Sequence, residues 1–298
     1  MSEPDFKAWA QAGQQRIETV LDQLLEQSTV LPQRLHNAMR YAVLGGGKRV
    51  RPLLAFAGGE LSGADPARAA IAGAAVEMIH AYSLVHDDLP CMDDDVLRRG
   101  KPACHVQYDE PTALLVGDAL QSLAFGVLAK NTLCNVPARQ LEMVSILARA
   151  SGSRGMAGGQ AIDLESVGKA LTVPQLEVMH VHKTGAIIRA ATLMGLLCGR
   201  ETSLDNYQHV DTFARVIGLA FQVVDDVLDV EVSSVDLGKT AGKDAEHGKP
   251  TDVSAMGLNE AKAYAETLRV EAMKHLEPFG ERALRLRQLA DFIVLRRS

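Results

Sequence analysis

The chain has 298 residues, of which 47% are hydrophobic, 23% charged and only 4% aromatic, with a formal net charge of −6. That is enough apolar mass for a full-sized core. The charge balance argues against a nucleic-acid partner, and an apolar fraction poor in aromatic residues favours helices over sheets. The four cysteines, Cys91, Cys104, Cys134 and Cys198, have the spacing of neither a zinc site nor a CxxC pair and read as reduced thiols.

The N-terminal stretch MSEPDFKAWA lacks a basic region followed by an apolar core, so no secretory signal is expected. No apolar run reads as long enough to span a bilayer; the closest, Ala186 to Cys198, is broken by Arg189. A cytoplasmic protein without membrane insertion is the expectation. Apolar residues then recur at helical spacing over Ala69 to His86, Ala113 to Leu128, Gln140 to Arg149, Pro174 to Leu197, Asp205 to Val230 and Asn259 to His275. Breaks are expected at Gly45 to Gly47, Gly58-Gly59, Gly100 to Pro102 and Gly158-Gly159, and no strand pattern stands out. The reading is all-α: a single helical domain over residues 1–298 with ten or more helices.

Glycines 45–47 lead into Lys48, Arg49 and Arg51 in GGGKRVRP, an anion-binding candidate without the spacing of a phosphate-binding Walker loop. The helix over Ala69 to His86 runs into DDLPCMDDD, which packs Asp87, Asp88, Asp93, Asp94 and Asp95 into nine residues. Pro90 should interrupt the helix and let Asp87 and Asp93 converge. Arg98, Arg99 and Lys101 follow directly. His80 lies two turns before Asp87, where a lone histidine is usually a satisfied core residue. Gln160 and Asp163 form an i,i+3 polar pair, and HKTG supplies Lys183 and Thr184.

A second acidic cluster, DDVLD, places Asp225 and Asp226 four and three residues from Asp229 on one helix face. Two such charges about 4 Å apart repel by roughly 4 kcal/mol at an effective dielectric near 20, so a proton or a cation should sit between them. A solvated acidic face is the competing explanation for either cluster alone. Both clusters, however, end long apolar runs, AYSLVHDD and AFQVVDD, as carboxylates at the mouth of an apolar cavity would. Hard oxygen ligands suit magnesium or calcium, and magnesium completes its shell with water and phosphate.

Taken in order, GGGKRVRP, AYSLVHDDLPCMDDDVLRRGKP, GDALQ, GGQAIDL, HKTGA, FQVVDDVLD and GKTAGKD…GK resemble the bacterial farnesyl diphosphate synthases. The resemblance covers residues from about Leu44 to Lys249. It implies a large helical bundle of the isoprenoid synthase type around a central cavity, usually a homodimer. It implies a short-chain trans-prenyltransferase that condenses isopentenyl diphosphate with dimethylallyl and then geranyl diphosphate, giving farnesyl diphosphate. Asp87, Asp93 and Asp225 would bind magnesium, about three ions once diphosphate is bound. Lys48, Arg51, His80 and Arg99 would bind isopentenyl diphosphate, and Arg98, Lys183, Lys239 and Lys249 the allylic diphosphate. Lys183, Thr184 and Gln222 would flank the developing carbocation. Tyr82 and Ser83 would set product length, Tyr82 as the floor of the tail cavity. Two stretches depart from the family pattern: VEVSSVDL after Asp229, and Asp252, where the family commonly has tyrosine. A class I terpene cyclase and a non-catalytic partner subunit are the rival readings. DDVLD and the GGGKRVRP site argue against the first, and retention of both acidic clusters argues against the second.

Overall fold

A computed structural model describes residues 3–200, 203–231 and 249–296. These hold fourteen α-helices in chain order: α1 (Glu3–Leu24), α2 (Gln33–Val43), α3 (Val50–Ser62), α4 (Pro66–Asp87), α5 (Cys104–Gln107), α6 (Glu110–Lys130), α7 (Pro137–Ser151), α8 (Met156–Glu165), α9 (Val173–His180), α10 (Ala186–Leu197), α11 (Leu204–Glu231), α12 (Asp252–Met256), α13 (Leu258–Lys274) and α14 (Leu284–Leu295). Two-residue strands β1 (Leu97–Arg98) and β2 (Lys101–Pro102) form a minimal antiparallel hairpin that the periodicity did not reveal. Its turn, Arg99-Gly100, has positive φ at both residues, 53° and 72°, as a tight two-residue hairpin requires.

Local signals start the site-bearing helices. Asp65 accepts the Ala67 amide and Pro66 opens α4; Asp109 accepts the Thr112 amide at 2.7 Å as α6 begins. The apolar faces then meet in one contiguous core that includes Ile17, Leu53, Met78, Leu120 and Phe213, all fully buried. Burying each such side chain is worth about 1.5–3 kcal/mol.

Two expected breaks are not breaks. Gly58-Gly59 lies inside α3 and Gly158-Gly159 inside α8. A side chain on Gly58 would strike the Thr192 carbonyl of α10, and one on Gly159 would strike the backbone of Lys183. These glycines allow backbone to approach backbone instead of ending a helix. Nor is Pro174 to Leu197 one α-helix: α9 and α10 are joined by a π-helical turn, Val181–Gly185, that carries Lys183 and Thr184. Such turns are rare and occur disproportionately at functional positions.

The expectation that no segment is long and apolar enough to cross a membrane is corrected by α6, which is so by length and composition. Its buried residues, Val116, Leu120, Ala124 and Val127 among them, recur at helical spacing and join the core, so burial in the bundle accounts for them. Leu114 and Leu115 stay half exposed. The cysteines are free, with Cys91 exposed and the other three buried.

Candidate active site

Helix α4 stops at Asp87, before Pro90, and the chain folds back so that the Asp93 amide donates to the Asp87 carbonyl at 2.8 Å. Asp94 takes a left-handed φ of 51° in this turn. Asp87 and Asp93 are thereby brought together, as the proline suggested. Burial, and the nearby Asp93 and Asp88 against the pull of Lys183 and Arg98, push the Asp87 carboxyl up to about 6. Burial would raise Asp93 too, but the hydrogen bond and charge of Lys249, helped by Lys183, hold it below the usual carboxylate range. Asp87, whose ionisation is resisted, and the readily ionised Asp93 beside it form a donor set that a hard divalent cation would relieve, and the residues present fit magnesium.

The cations lie around this motif, each with an anionic partner. Arg98 donates Nε to both oxygens of buried Asp88, at 3.0 and 3.2 Å, and reaches Asp95 at 3.3 Å. Lys249 Nζ bonds Asp93 at 2.8 Å and lies 3.7 Å from Asp163, which also pairs with Lys183. Asp163 therefore joins two lysines far apart in sequence, while Gln160, one turn away, is buried with both amide atoms unpartnered.

In GGGKRVRP the three cations diverge. Arg49 is buried in a left-handed conformation and pairs with Glu77 at 2.5 Å and Glu18 at 2.6 Å, so it anchors the turn instead of facing the cleft. Arg99 bonds the Gly46 carbonyl and lies 3.7 Å from Glu77. Lys48 and Arg51 both sense the charges of Asp225 and Arg296, so they lie near the second acidic motif. His80 has its pKa pushed well down by burial and by Arg51, Arg99, Arg98 and Arg49. It faces these arginines as a neutral ring, able to donate and accept but not to add charge.

The second motif divides its carboxylates. Asp225 accepts from Arg296 at 2.5 Å, and that guanidinium lies 4.0 Å from the centre of the Phe221 ring. Asp226 turns into the protein and accepts Gln222 Nε2 at 3.0 Å and the Asp252 backbone amide at 2.8 Å. Gln222 Oε1 accepts the Thr184 hydroxyl at 2.8 Å. His180 Nε2 lies 3.1 Å from Asp252 and 3.8 Å from Asp226. Burial pushes Asp226 up to about 7 against the pull of His180. For His180 burial opposes the charge, but the close approach of Asp252 and the charge of Asp226 outweigh it and raise the pKa.

Tyr82 is buried in α4, edge-on to His86 at 5.7 Å, with Gln121 of α6 near its hydroxyl. Ser83 donates to the His80 carbonyl at 2.9 Å. Lys239 and the departure over 230–237, apart from Val230 and Glu231, lie outside the described residues. Four contributors escaped the sequence reading: Arg296, His180, Glu77 and the inward role of Asp226. Arg296 is 71 residues from Asp225 and no local pattern links them. Asp252, which stands where the family commonly has tyrosine, is fully buried against His180. The i,i+4 spacing of His180 and Thr184 was visible but carried no distinguishing signal.

Comparison with known proteins follows the same lines. A sequence model of polyprenyl synthetases matches residues 32–278. The farnesyl diphosphate synthase of Haemophilus influenzae is 45% identical over 297 residues, covering 98% of this chain and 99% of that one. The crystal structure of an FPP/GFPP synthase from Zymomonas mobilis superposes with a TM-score of 0.88 at 40% identity, covering 97% of this chain and 99% of that one. A Helicobacter pylori geranyltransferase, solved with magnesium and isoprenyl diphosphate, gives 0.85 at 32% identity, covering 99% and 98%.

Proposed function

We propose, on the premise that this chain belongs to the polyprenyl synthetase family, that it is a short-chain trans-prenyltransferase making farnesyl diphosphate. The substrates are isopentenyl diphosphate with dimethylallyl and then geranyl diphosphate. The observation that carries the reading is the disposition of charge. One aspartate motif has Arg98, Lys183 and Lys249 beside it and the other has Lys48 and Arg51 near it, two groups of charge for two diphosphates.

Asp87, Asp93 and Asp225 would hold magnesium, an ion with which the related Helicobacter pylori geranyltransferase was solved. Bound magnesium supplies Lewis-acid neutralisation of the departing diphosphate. Lys183 and Lys249 are the lysines that would leave Asp163 and Asp93 for the allylic diphosphate, with Arg98 moving from Asp95 and Lys239 completing the set. The allylic carbon–oxygen bond breaks as these charges strengthen on the leaving oxygen. Thr184 and Gln222 present oxygen dipoles to the allylic cation without attacking it. Lys48, Arg51, neutral His80 and Arg99 hold isopentenyl diphosphate, whose double bond attacks the cation to form the new carbon–carbon bond. The proton lost next goes to the released diphosphate.

Residues 1–298 act as one unit in this reading, as a cytoplasmic homodimer. The half-exposed Leu114 and Leu115 on α6 support a partner on that face. Because the Zymomonas relative is named for two products, length is assigned from Tyr82 and Ser83. Incubation with isopentenyl and dimethylallyl diphosphates plus magnesium, followed by chromatography of the dephosphorylated products, should give farnesol. Cyclic hydrocarbons, or no product, would overturn the reading.

A further inference from the structure

We infer that Asp252 and His180 are positioning residues for the ionisation step: they fix Asp226 so that Gln222 presents its carbonyl oxygen to Thr184. The inference rests on the functional reading above, and it assigns a task to groups that touch neither metal nor substrate in that reading.

The hydrogen bonds run from the Asp252 backbone through Asp226 and Gln222 to Thr184, with the His180 ring beside them. Asp252, with no exposure, opens α12; its carboxylate meets His180 at 3.1 Å and its backbone amide meets Asp226 Oδ2 at 2.8 Å. The other Asp226 oxygen accepts Gln222 Nε2 at 3.0 Å, and Gln222 Oε1 accepts Thr184 at 2.8 Å. A primary amide has one donating and one accepting end, and its orientation is set by its neighbours. With its amino end on Asp226 Oδ1, Gln222 directs its oxygen end towards Thr184. A flipped amide would turn N–H donors towards the space where positive charge develops. Keeping the negative end of a dipole there, with no reorganisation during reaction, is a direct route to lowering the barrier.

The orientation of Asp226 is itself over-determined. Its oxygens are committed to two N–H donors, and His180 lies 3.8 Å from Oδ2. The ligand atoms of His180, Asp226 and Asp252 fall within 4.8 Å of one another, a spacing that could also admit a metal ion.

The segment carrying Asp252 also docks on the first motif. Thr251 and Ser254 cap α12 reciprocally, and three residues before Asp252, Lys249 bonds Asp93 at 2.8 Å. One short stretch of chain therefore seats a lysine on one acidic motif and a carboxylate behind the other.

The test is a double-mutant cycle on Asp252→Ala and Gln222→Ala, with the isosteric Asp252→Asn as a guard against misfolding. Asp252→Ala and Asp252→Asn should each lower kcat about tenfold or more while KM for isopentenyl diphosphate stays within about twofold. In the Gln222→Ala background, Asp252→Ala should cost less than about twofold further. Equal fractional losses in both backgrounds, or an unaltered kcat in Asp252→Asn, overturn the inference. Melting of the same proteins without substrate provides a readout independent of turnover: the shifts should be non-additive, and additive shifts count against the coupling. Metal analysis closes the alternative, since a tightly held equivalent of transition metal lost in Asp252→Ala would also overturn it. An inactive wild type would defeat the functional reading, whereas the melting cycle would still decide the coupling.

Discussion

Replacing Asp87 by asparagine should stabilise the metal-free protein while nearly abolishing its turnover. The folded-state pKa of Asp87 is raised from 3.8 to about 6. The folded protein therefore holds this proton more tightly than the unfolded chain does. Its contribution to stability is fully present below pH 3.8 and is lost as the pH rises through about 6. At about 1.36 kcal/mol per unit, the penalty at neutral pH approaches roughly 3 kcal/mol. Water at the cleft mouth lowers that, so about 1–3 kcal/mol is the working range. Asparagine keeps the shape and removes the charge. For a chain of this length each kcal/mol moves the midpoint by about 2 °C, so Tm at pH 7.5 in EDTA should rise by about 2–6 °C. At pH 5 the advantage should shrink by about half, because Asp87 is then largely protonated in the folded state. Scanning fluorimetry at the two pH values, with product assays at saturating magnesium, measures both effects. Turnover should fall by about 100-fold or more. An equal or lower Tm at pH 7.5, or an advantage unaltered at pH 5, refutes the account of Asp87 as a strained metal ligand.

Lys48→Ala and Arg51→Ala should raise KM for isopentenyl diphosphate at least about fivefold more than KM for the allylic substrate, with the opposite bias in Lys249→Ala; equal effects on both substrates would dissolve the two-site assignment. Arg296→Ala removes the competitor for Asp225, so magnesium should half-activate at a several-fold lower concentration. A higher requirement in a magnesium titration would instead make Arg296 a supporting residue. Tyr82→Ala should lengthen the product to twenty carbons or more, and Ser83→Phe should shorten it to ten; unaltered farnesol from both variants rejects α4 as the ruler.

What could be read in advance follows the range of each interaction. The apolar spacing of α4, α6, α11 and α13 is local and survives in the structure. So does the turn at Pro90, because a proline acts on its own neighbours. Gly58 and Gly159 misled because a glycine that admits a neighbouring backbone looks, in sequence, like one that ends a helix. Arg49 was grouped with Lys48 and Arg51, yet it alone points inward, since its partners Glu18 and Glu77 come from α1 and α4. Asp252 sits three residues after Lys249, and nothing local marks it as buried. Its burial depends on α9 and α11, which no window around residue 252 contains.

The π-helical turn at Val181–Gly185 has a consequence for how this chain can vary. A π turn is one residue longer than an α turn, and each residue of an α-helix advances the azimuth by about 100°. The extra residue is thus a phase shift between α9 and α10, letting Lys183 and Thr184 face the cleft while Ile188 and Leu193 keep their place in the core. Deleting any one residue there would close the helix and turn the whole of α10 against α3. Gly195 and Gly58 would then lose the registration that admits the opposing backbone. Side chains in the turn can be exchanged one at a time, but its length can change only if two helices are re-indexed together.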